Sequence, residues 1–178
     1  MNYKHAITMT ATGLLAYAAS TASADLTYTY LGELDGHEYW VTDLELEYYD
    51  AREAADQLGS DLGATAYLAS ITSQEETDFV QALSLDVMWI GLNDLDLDGQ
   101  WSWDSGEAYE YSDWAAGEPN GNVGDEPVVV MNWNDDYGWN DWKDLDRYAV
   151  ALIEVAIPAP GVLGLLGIAG LTSRRRRR

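Results

Sequence analysis

The chain has no cysteine, so no disulfide can staple it and no thiolate can hold a soft metal or attack a substrate. Its two histidines, His5 and His37, lie far upstream of the chain's most oxygen-rich stretch. Positive charge is scarce as well: between positions 25 and 154 the basic residues are Arg52, Lys143 and Arg147, against all 31 acidic residues of the chain. That balance excludes nucleic acid and anionic membrane surfaces as partners of this span, because each needs a positive face. Cations suit it. The acid surplus would equally serve solubility or life in salty water. One phenylalanine stands against eight tryptophans and twelve tyrosines, so the core is expected to be built from large rings with polar edges, in a folded domain.

The two ends read as addresses. Residues 1–24 carry Lys4, an apolar run over 7–19 and the small residues Ala22, Ser23 and Ala24, the pattern of a secretory signal peptide cleaved after Ala24. At the other end Pro158-Ala159-Pro160 precedes an apolar, glycine-rich run over 161–173 and five arginines, Arg174 to Arg178. Thirteen residues of helix reach about 20 Å, short of a ~30 Å hydrocarbon core, and the arginines would hold this end in the cytoplasm. In order and composition, residues 157–178 resemble the bacterial PEP-CTERM sorting signal. The resemblance implies transient membrane anchoring, processing by an exosortase-like enzyme, and a secreted or surface location in a Gram-negative envelope. The glutamate between the prolines is missing here, and a plain C-terminal anchor is the alternative.

Between these ends, residues 25–156 form one domain. A strand pair is expected near 26–31 and 37–41. Tyr48, Ala51, Ala54, Ala55 and Leu58 recur at spacings of three and four before Gly59, which predicts a helix ending there. A short strand over 67–71 follows, and then Ser73 and Glu76 make a capping box for a second helix that buries Phe79, Val80 and Leu83. From Met88 the pattern turns to short aromatic strands over 88–92, 100–103, 128–133 and 149–155, broken by acidic Gly and Asn loops.

The stretch 118–141 concentrates oxygen-bearing side chains: Glu118, Asn120, Asp125, Glu126, Asn140 and Asp141. Carboxylates and amide carbonyls without soft ligands are hard-cation chemistry, and Ca2+ takes about six to eight such oxygens. A solvated acidic loop is the plain alternative. Trp89-Ile90-Gly91-Leu92, Gly99-Gln100-Trp101, Trp103, Trp114, Glu118-Pro119-Asn120 and Trp139-Asn140-Asp141, in that order behind two helices, resemble a C-type lectin-like domain over 37–155. The resemblance implies an α+β fold, with two helices, small antiparallel sheets and a long calcium-binding loop region.

It also implies roles. The principal Ca2+ would be held by Glu118, Asn120, Asp125, Asn140 and Asp141, with a cis bond before Pro119; Glu126 takes the place of Asp125 if the loop is counted from Asn120. Trp133-Asn134-Asp135 repeats the second triplet, but Trp139 lies nearer the last strand and is preferred. An auxiliary ion would use Asp94, Asp98 and Glu126, helped by Asp96, although Gly121 stands where a further ligand is usual. Sugar hydroxyls would meet Glu118, Asn120, Asn140 and Asp141, and the order Glu then Asn goes with mannose, glucose, GlcNAc or fucose. Tyr137 and Trp142 are candidates for added contact, whereas Trp89, Trp101, Trp103 and Trp139 read as core. The family's paired cysteines fall at Ala55 with Ile153 and at Pro127 with Asp144. No acid and nucleophile face each other across a cleft and no Ser, His and Asp set appears, so a binding protein is expected rather than an enzyme. A calcium-stabilised module for protein contacts in an extracellular matrix is the alternative function, and ice or mineral binding a third.

Overall fold

The computed structural model describes residues 6–9, 15–19, 26–134, 137–144 and 147–157. Strands β1 (Ala6–Met9) and β2 (Leu15–Ala19) pair antiparallel, and β2 continues onto β3 (Leu26–Leu34). These two lie in the stretch read as a signal peptide, so cleavage after Ala24 would leave β3 at the sheet edge. β3 turns through Asp35 and Gly36, both at positive φ, into β4 (His37–Thr42), as an Asp-Gly hairpin does.

Helix α1 runs Tyr48–Leu62 and ends at Gly63, whose φ of 66° makes a left-handed cap. The expected stop at Gly59 is therefore wrong. Gly59 sits inside the helix because a Cβ there would lie 3.0 Å from both the Ala64 carbonyl and the Ala66 nitrogen of the returning chain. Its missing side chain makes room for β5 (Thr65–Leu68) rather than ending the helix. Helix α2 (Gln74–Leu83) begins as expected, with Ser73 Oγ accepting from the Glu76 N–H at 3.1 Å. The Glu76 carboxylate reaches one residue further back than a capping box requires, accepting from the Thr72 N–H at 2.7 Å. The helix buries Glu76, Thr77 and Val80; Phe79 is half-buried and Leu83 is exposed, which corrects the apolar face expected for it.

The remaining strands are β6 (Met88–Asn93), β7 (Ser102–Trp103), β8 (Val128–Trp133), β9 (Gly138–Trp142) and β10 (Val150–Ala156). β10 is central. It pairs antiparallel with β4 and β5 and parallel with β6, which in turn carries β7 and β8. β9 pairs with β8, although its sequence reads as a ligand-bearing loop. The architecture is the expected α+β arrangement of two helices on a largely antiparallel sheet. Among the described residues no helix is long and apolar enough to cross a membrane, and the apolar run 161–173 lies outside them.

Two core clusters flank β10 and β6, one under α1 and one under α2 and the long loop. Ala55 and Ile153 are both buried in the first, so an apolar contact region occupies the place of a crosslink. Gly91 admits no side chain: a Cβ would lie 2.3 Å from the Leu68 carbonyl oxygen.

Candidate functional site

The long loop between β7 and β8 is held by its backbone to β9. Trp139 N–H donates to the Asp113 carbonyl at 2.7 Å and Ala115 N–H to the Trp139 carbonyl at 2.9 Å. Gly138 makes this approach possible, since a Cβ there would lie 2.5 Å from the Ala115 nitrogen. Glu118 N–H then donates to the Ala115 carbonyl at 3.0 Å, and the Glu118–Pro119 peptide bond is cis. Gly138 was not singled out from the sequence. Its only signal was a glycine directly before the Trp-Asn-Asp triplet.

β9 carries Asn140 and Asp141 opposite Val130 and Val129 of β8, and both are buried. The two oxygens of Asp141 accept from the backbone N–H groups of Asn120 at 3.0 Å and Gly121 at 2.8 Å, so this carboxylate folds the tip of the Glu-Pro-Asn turn over itself. The Asn140 amide lies against Glu118. Its NH2 donates to the two carboxylate oxygens at 2.8 and 3.1 Å while its oxygen accepts from Trp142 Nε1–H at 2.9 Å. The structure thus brings the side chains of Glu118, Asn140 and Asp141 to one turn with the backbone of Asn120, whose side chain is exposed.

Of the two acids left open by the sequence, Glu126 is the one beside Asp141. A Cβ on Gly121 would fall 2.9 Å from both Asp141 Oδ2 and Glu126 Cβ, which places the glycine as the spacer between the two acids. Asp125 is exposed, and its carboxylate accepts from the Asn122 side chain at 3.0 Å. Asp94, buried, and Glu126 line one small cleft of about 90 Å³ with Trp101, Pro119 and Asp141. Asp94 caps its own loop, taking the N–H groups of Asp98 and Gly99, and Asp98 turns to the backbone and side chain of Gln100. Asp98 does not line the cleft that Asp94 and Glu126 share.

The electrostatics reflect this crowding. Burial, the nearby Asp141 carboxylate within hydrogen-bonding reach, and Glu126 push the Glu118 carboxyl above its ordinary pKa. Burial and the Asp141 charge also raise Glu126, against a downward pull from Lys143 and Arg147. Among the described residues no three His, Cys, Asp or Glu side chains are gathered closely enough to hold a metal on their own, so any ion here needs amide oxygens too. The Asn140 amide fits that need. Turned the other way, its oxygen would lie 2.8 and 3.1 Å from the two Glu118 oxygens, a spacing that a shared cation favours and that its absence opposes.

Trp142 is half-buried, its ring edge-on to Trp133 at 5.1 Å and to Trp89 at 5.5 Å, with Arg147 Cζ 5.4 Å above it. Tyr137 instead lies at the β8–β9 turn, its carbonyl held by Gln81 of α2 at 3.2 Å. Trp89, Trp103 and Trp139 are core residues and Trp101 is half-buried. In the competing triplet, Trp133 and Asn134 lie in and after β8, and Asp135 is outside the described residues.

Comparison with known proteins places the domain as a whole. A family model described as the Lectin C-type domain matches residues 47–150. Lectin BRA-3 of Megabalanus rosa is 37% identical over 111 residues, covering 61% of this chain and 65% of the relative, so the chain spans just under two thirds of that protein. Among solved structures, herring type II antifreeze protein superposes with a TM-score of 0.64 at 28% identity, over 71% of this chain and 95% of that one. The C-type lectin domain of murine dendritic cell inhibitory receptor 2, solved in complex with an N-glycan, gives 0.60 at 27% identity, over 70% and 94%.

Proposed function

Because this chain belongs to the C-type lectin domain family, we propose that its long loop binds Ca2+ and, with it, a glycan, as a binding module rather than an enzyme. The single observation that supports this most is the convergence of Glu118, Asn120, Asn140 and Asp141 about one turn, with Glu126 beside it. Glu118, Asn140 and Asp141 hold the ion with Glu126 in preference to Asp125, and the Asn120 amide completes the set. A Ca2+ held by these residues would supply Lewis-acid attraction for two vicinal sugar hydroxyls. The protein's part is to orient those hydroxyls: Glu118 accepts their protons in hydrogen bonds, and the NH2 group of Asn120 donates to their oxygens. Glu before Asn in the turn favours mannose, glucose, GlcNAc or fucose. Asp94 contributes a shared wall to a weaker second position with Glu126, without Asp98.

Export follows from residues 1–24, and sorting to a Gram-negative surface through an exosortase-like enzyme from 157–178; the residues that carry both proposals lie largely outside those described. Retention of the full-length chain on a mannose matrix in Ca2+, with release by EDTA and by free mannose, tests the reading. Exchanging Glu118 for Gln and Asn120 for Asp should redirect retention to a galactose matrix. The antifreeze neighbour, at 28% identity, keeps a second reading alive, in which the same site stabilises a surface that binds something other than sugar. A calcium-dependent rise in Tm with no retention on any sugar would favour that second reading.

A further inference from the structure

The domain is poor in positive charge, yet what it has is unevenly placed. Arg52 is committed to Asp104 at 3.0 Å. Lys143 and Arg147 are both exposed, and among the described residues neither makes an ion pair. Both act on the carboxylate of Glu126, the acid beside Asp141. Arg147 is fixed by geometry as well: its guanidinium sits over the Trp142 ring at 5.4 Å, and the same indole donates to Asn140 at 2.9 Å. Lys143 follows two residues after Asp141, just past the end of β9.

Cations next to a calcium site weaken it, because they repel the incoming ion. In a chain with 31 acidic residues to draw on, two cations at this rim work against calcium unless the ligand itself is negative. We infer that the preferred sugar is an anionic one, carrying a carboxylate or sulfate beside its vicinal hydroxyls, with Lys143 and Arg147 as specificity-determining counter-charges. The inference rests on the proposed calcium-dependent sugar site and names its ligand class. It also makes chemical sense of the surrounding surface. Among the described residues the only other arginine, Arg52, is committed to Asp104, so the remaining acidic surface turns polyanions away and directs docking to this rim.

The test is displacement of the full-length protein from a mannose matrix in Ca2+ by methyl glucoside, glucuronate and glucose 6-sulfate, which share ring hydroxyls and differ in charge. Glucuronate, glucose 6-sulfate or both should elute at a concentration about three- to fivefold below the glucoside, the effect of one or two partly exposed charge pairs. The two anions tell carboxylate from sulfate as the source of charge. The advantage should shrink in high salt. In the Lys143→Gln/Arg147→Gln double variant it should vanish, with glucoside elution unchanged and the Ca2+-induced rise in Tm kept or enlarged. Equal displacement by all three sugars overturns the inference and leaves the lectin reading standing. An anionic preference that survives the double substitution overturns it too. If no sugar binds in Ca2+, the proposed function fails and this inference with it.

Discussion

Changing Glu118 to Gln should make the metal-free protein more stable and at the same time deprive it of its response to calcium. Burial and the neighbouring Asp141 carboxylate push the Glu118 carboxyl above its ordinary pKa, so a proton on Glu118 relieves the contact. A glutamine supplies that proton permanently. Its NH2 donates to Asp141 while its oxygen still accepts from the Asn140 NH2, which now approaches Glu118 at 2.8 Å. Exchanging a repulsive contact for one hydrogen bond to the Asp141 carboxylate, at a site open to solvent, is worth about 1 kcal/mol, or about 3 to 5 °C in Tm for a domain of this size. Against this, calcium at a hundred times its dissociation constant stabilises the native protein by about 2.7 kcal/mol, about 10 °C on the same scale. Paired thermal melts in EDTA and in saturating calcium read both numbers at neutral pH. The native protein should show the large shift; Glu118→Gln should start a few degrees higher in EDTA and move little. A variant that melts lower in EDTA, or that keeps the full calcium shift, would refute the geometry on which the site is built.

Three other perturbations probe how the site is supported. Gly138→Ala forces a Cβ to within 2.5 Å of the Ala115 nitrogen, so the loop must lift from β9; chemical denaturation should show a loss of about 1 to 3 kcal/mol, and calcium titration a weaker affinity. Arg52→Ala removes the ion-pair partner of Asp104, a carboxyl that burial raises and Arg52 pulls down, leaving the Asn93 amide at 2.9 Å. The loss should be about 1 to 2 kcal/mol at pH 8 and smaller as the pH falls and Asp104 takes up a proton; a pH-independent loss would argue against a charge effect. At the other end of the sheet His37 contacts the buried Glu154, which also accepts from the Ser70 N–H at 2.9 Å. Burial by itself would lower the His37 pKa, but Glu154, with Glu107 and Glu76 behind it, carries it above 6.5. Its contribution is therefore full below that value and is lost as pH rises through the higher folded value. In EDTA, His37→Gln should flatten the fall in Tm as the pH rises above 6.5; an unchanged slope would remove His37 from the account.

What the sequence disclosed was whatever is local. Ser73 and Glu76 announce the start of α2 because the cap is made within four residues, and the strand pair at 26–31 and 37–41 is legible because its partners are near neighbours. Gly59 misleads for the opposite reason. Read along the chain it is punctuation, but its cause is the crossing strand at Ala64 and Ala66, which no helical periodicity contains. Leu83 misleads likewise: it keeps the spacing of an inner face, yet the helix turns Glu76 and Thr77 inward to meet Tyr39 and Tyr111. β9 was hidden because a triplet of amide and acid looks like a loop until it is paired with Val129 and Val130. The choice between Asp125 and Glu126 could not be made by counting, since it depends on how tightly Gly121 lets the turn close on Asp141.

The absent cysteines show how the loop is tied instead. Ala55 and Ile153 share one core cluster, so the link between α1 and β10 survives as packing. Pro127 and Asp144 do not replace each other's bond: the Pro127 carbonyl accepts from the Asp94 N–H at 2.8 Å, and Asp144 accepts from Tyr49 of α1 at 3.1 Å. Each end of the missing staple is anchored to a different neighbour. The Glu-Pro-Asn turn is left to the Asp141 carboxylate, whose two backbone hydrogen bonds hold it from inside. That carboxylate is also the charge that raises the pKa of both Glu118 and Glu126. The group that folds the turn is thus the group that repels its neighbours, and a cation at this point would remove the conflict without disturbing either hydrogen bond. On the proposed reading, the order of the loop and the affinity for calcium would be set by the same acids, so a substitution that relieves their repulsion should also weaken the hold on the ion.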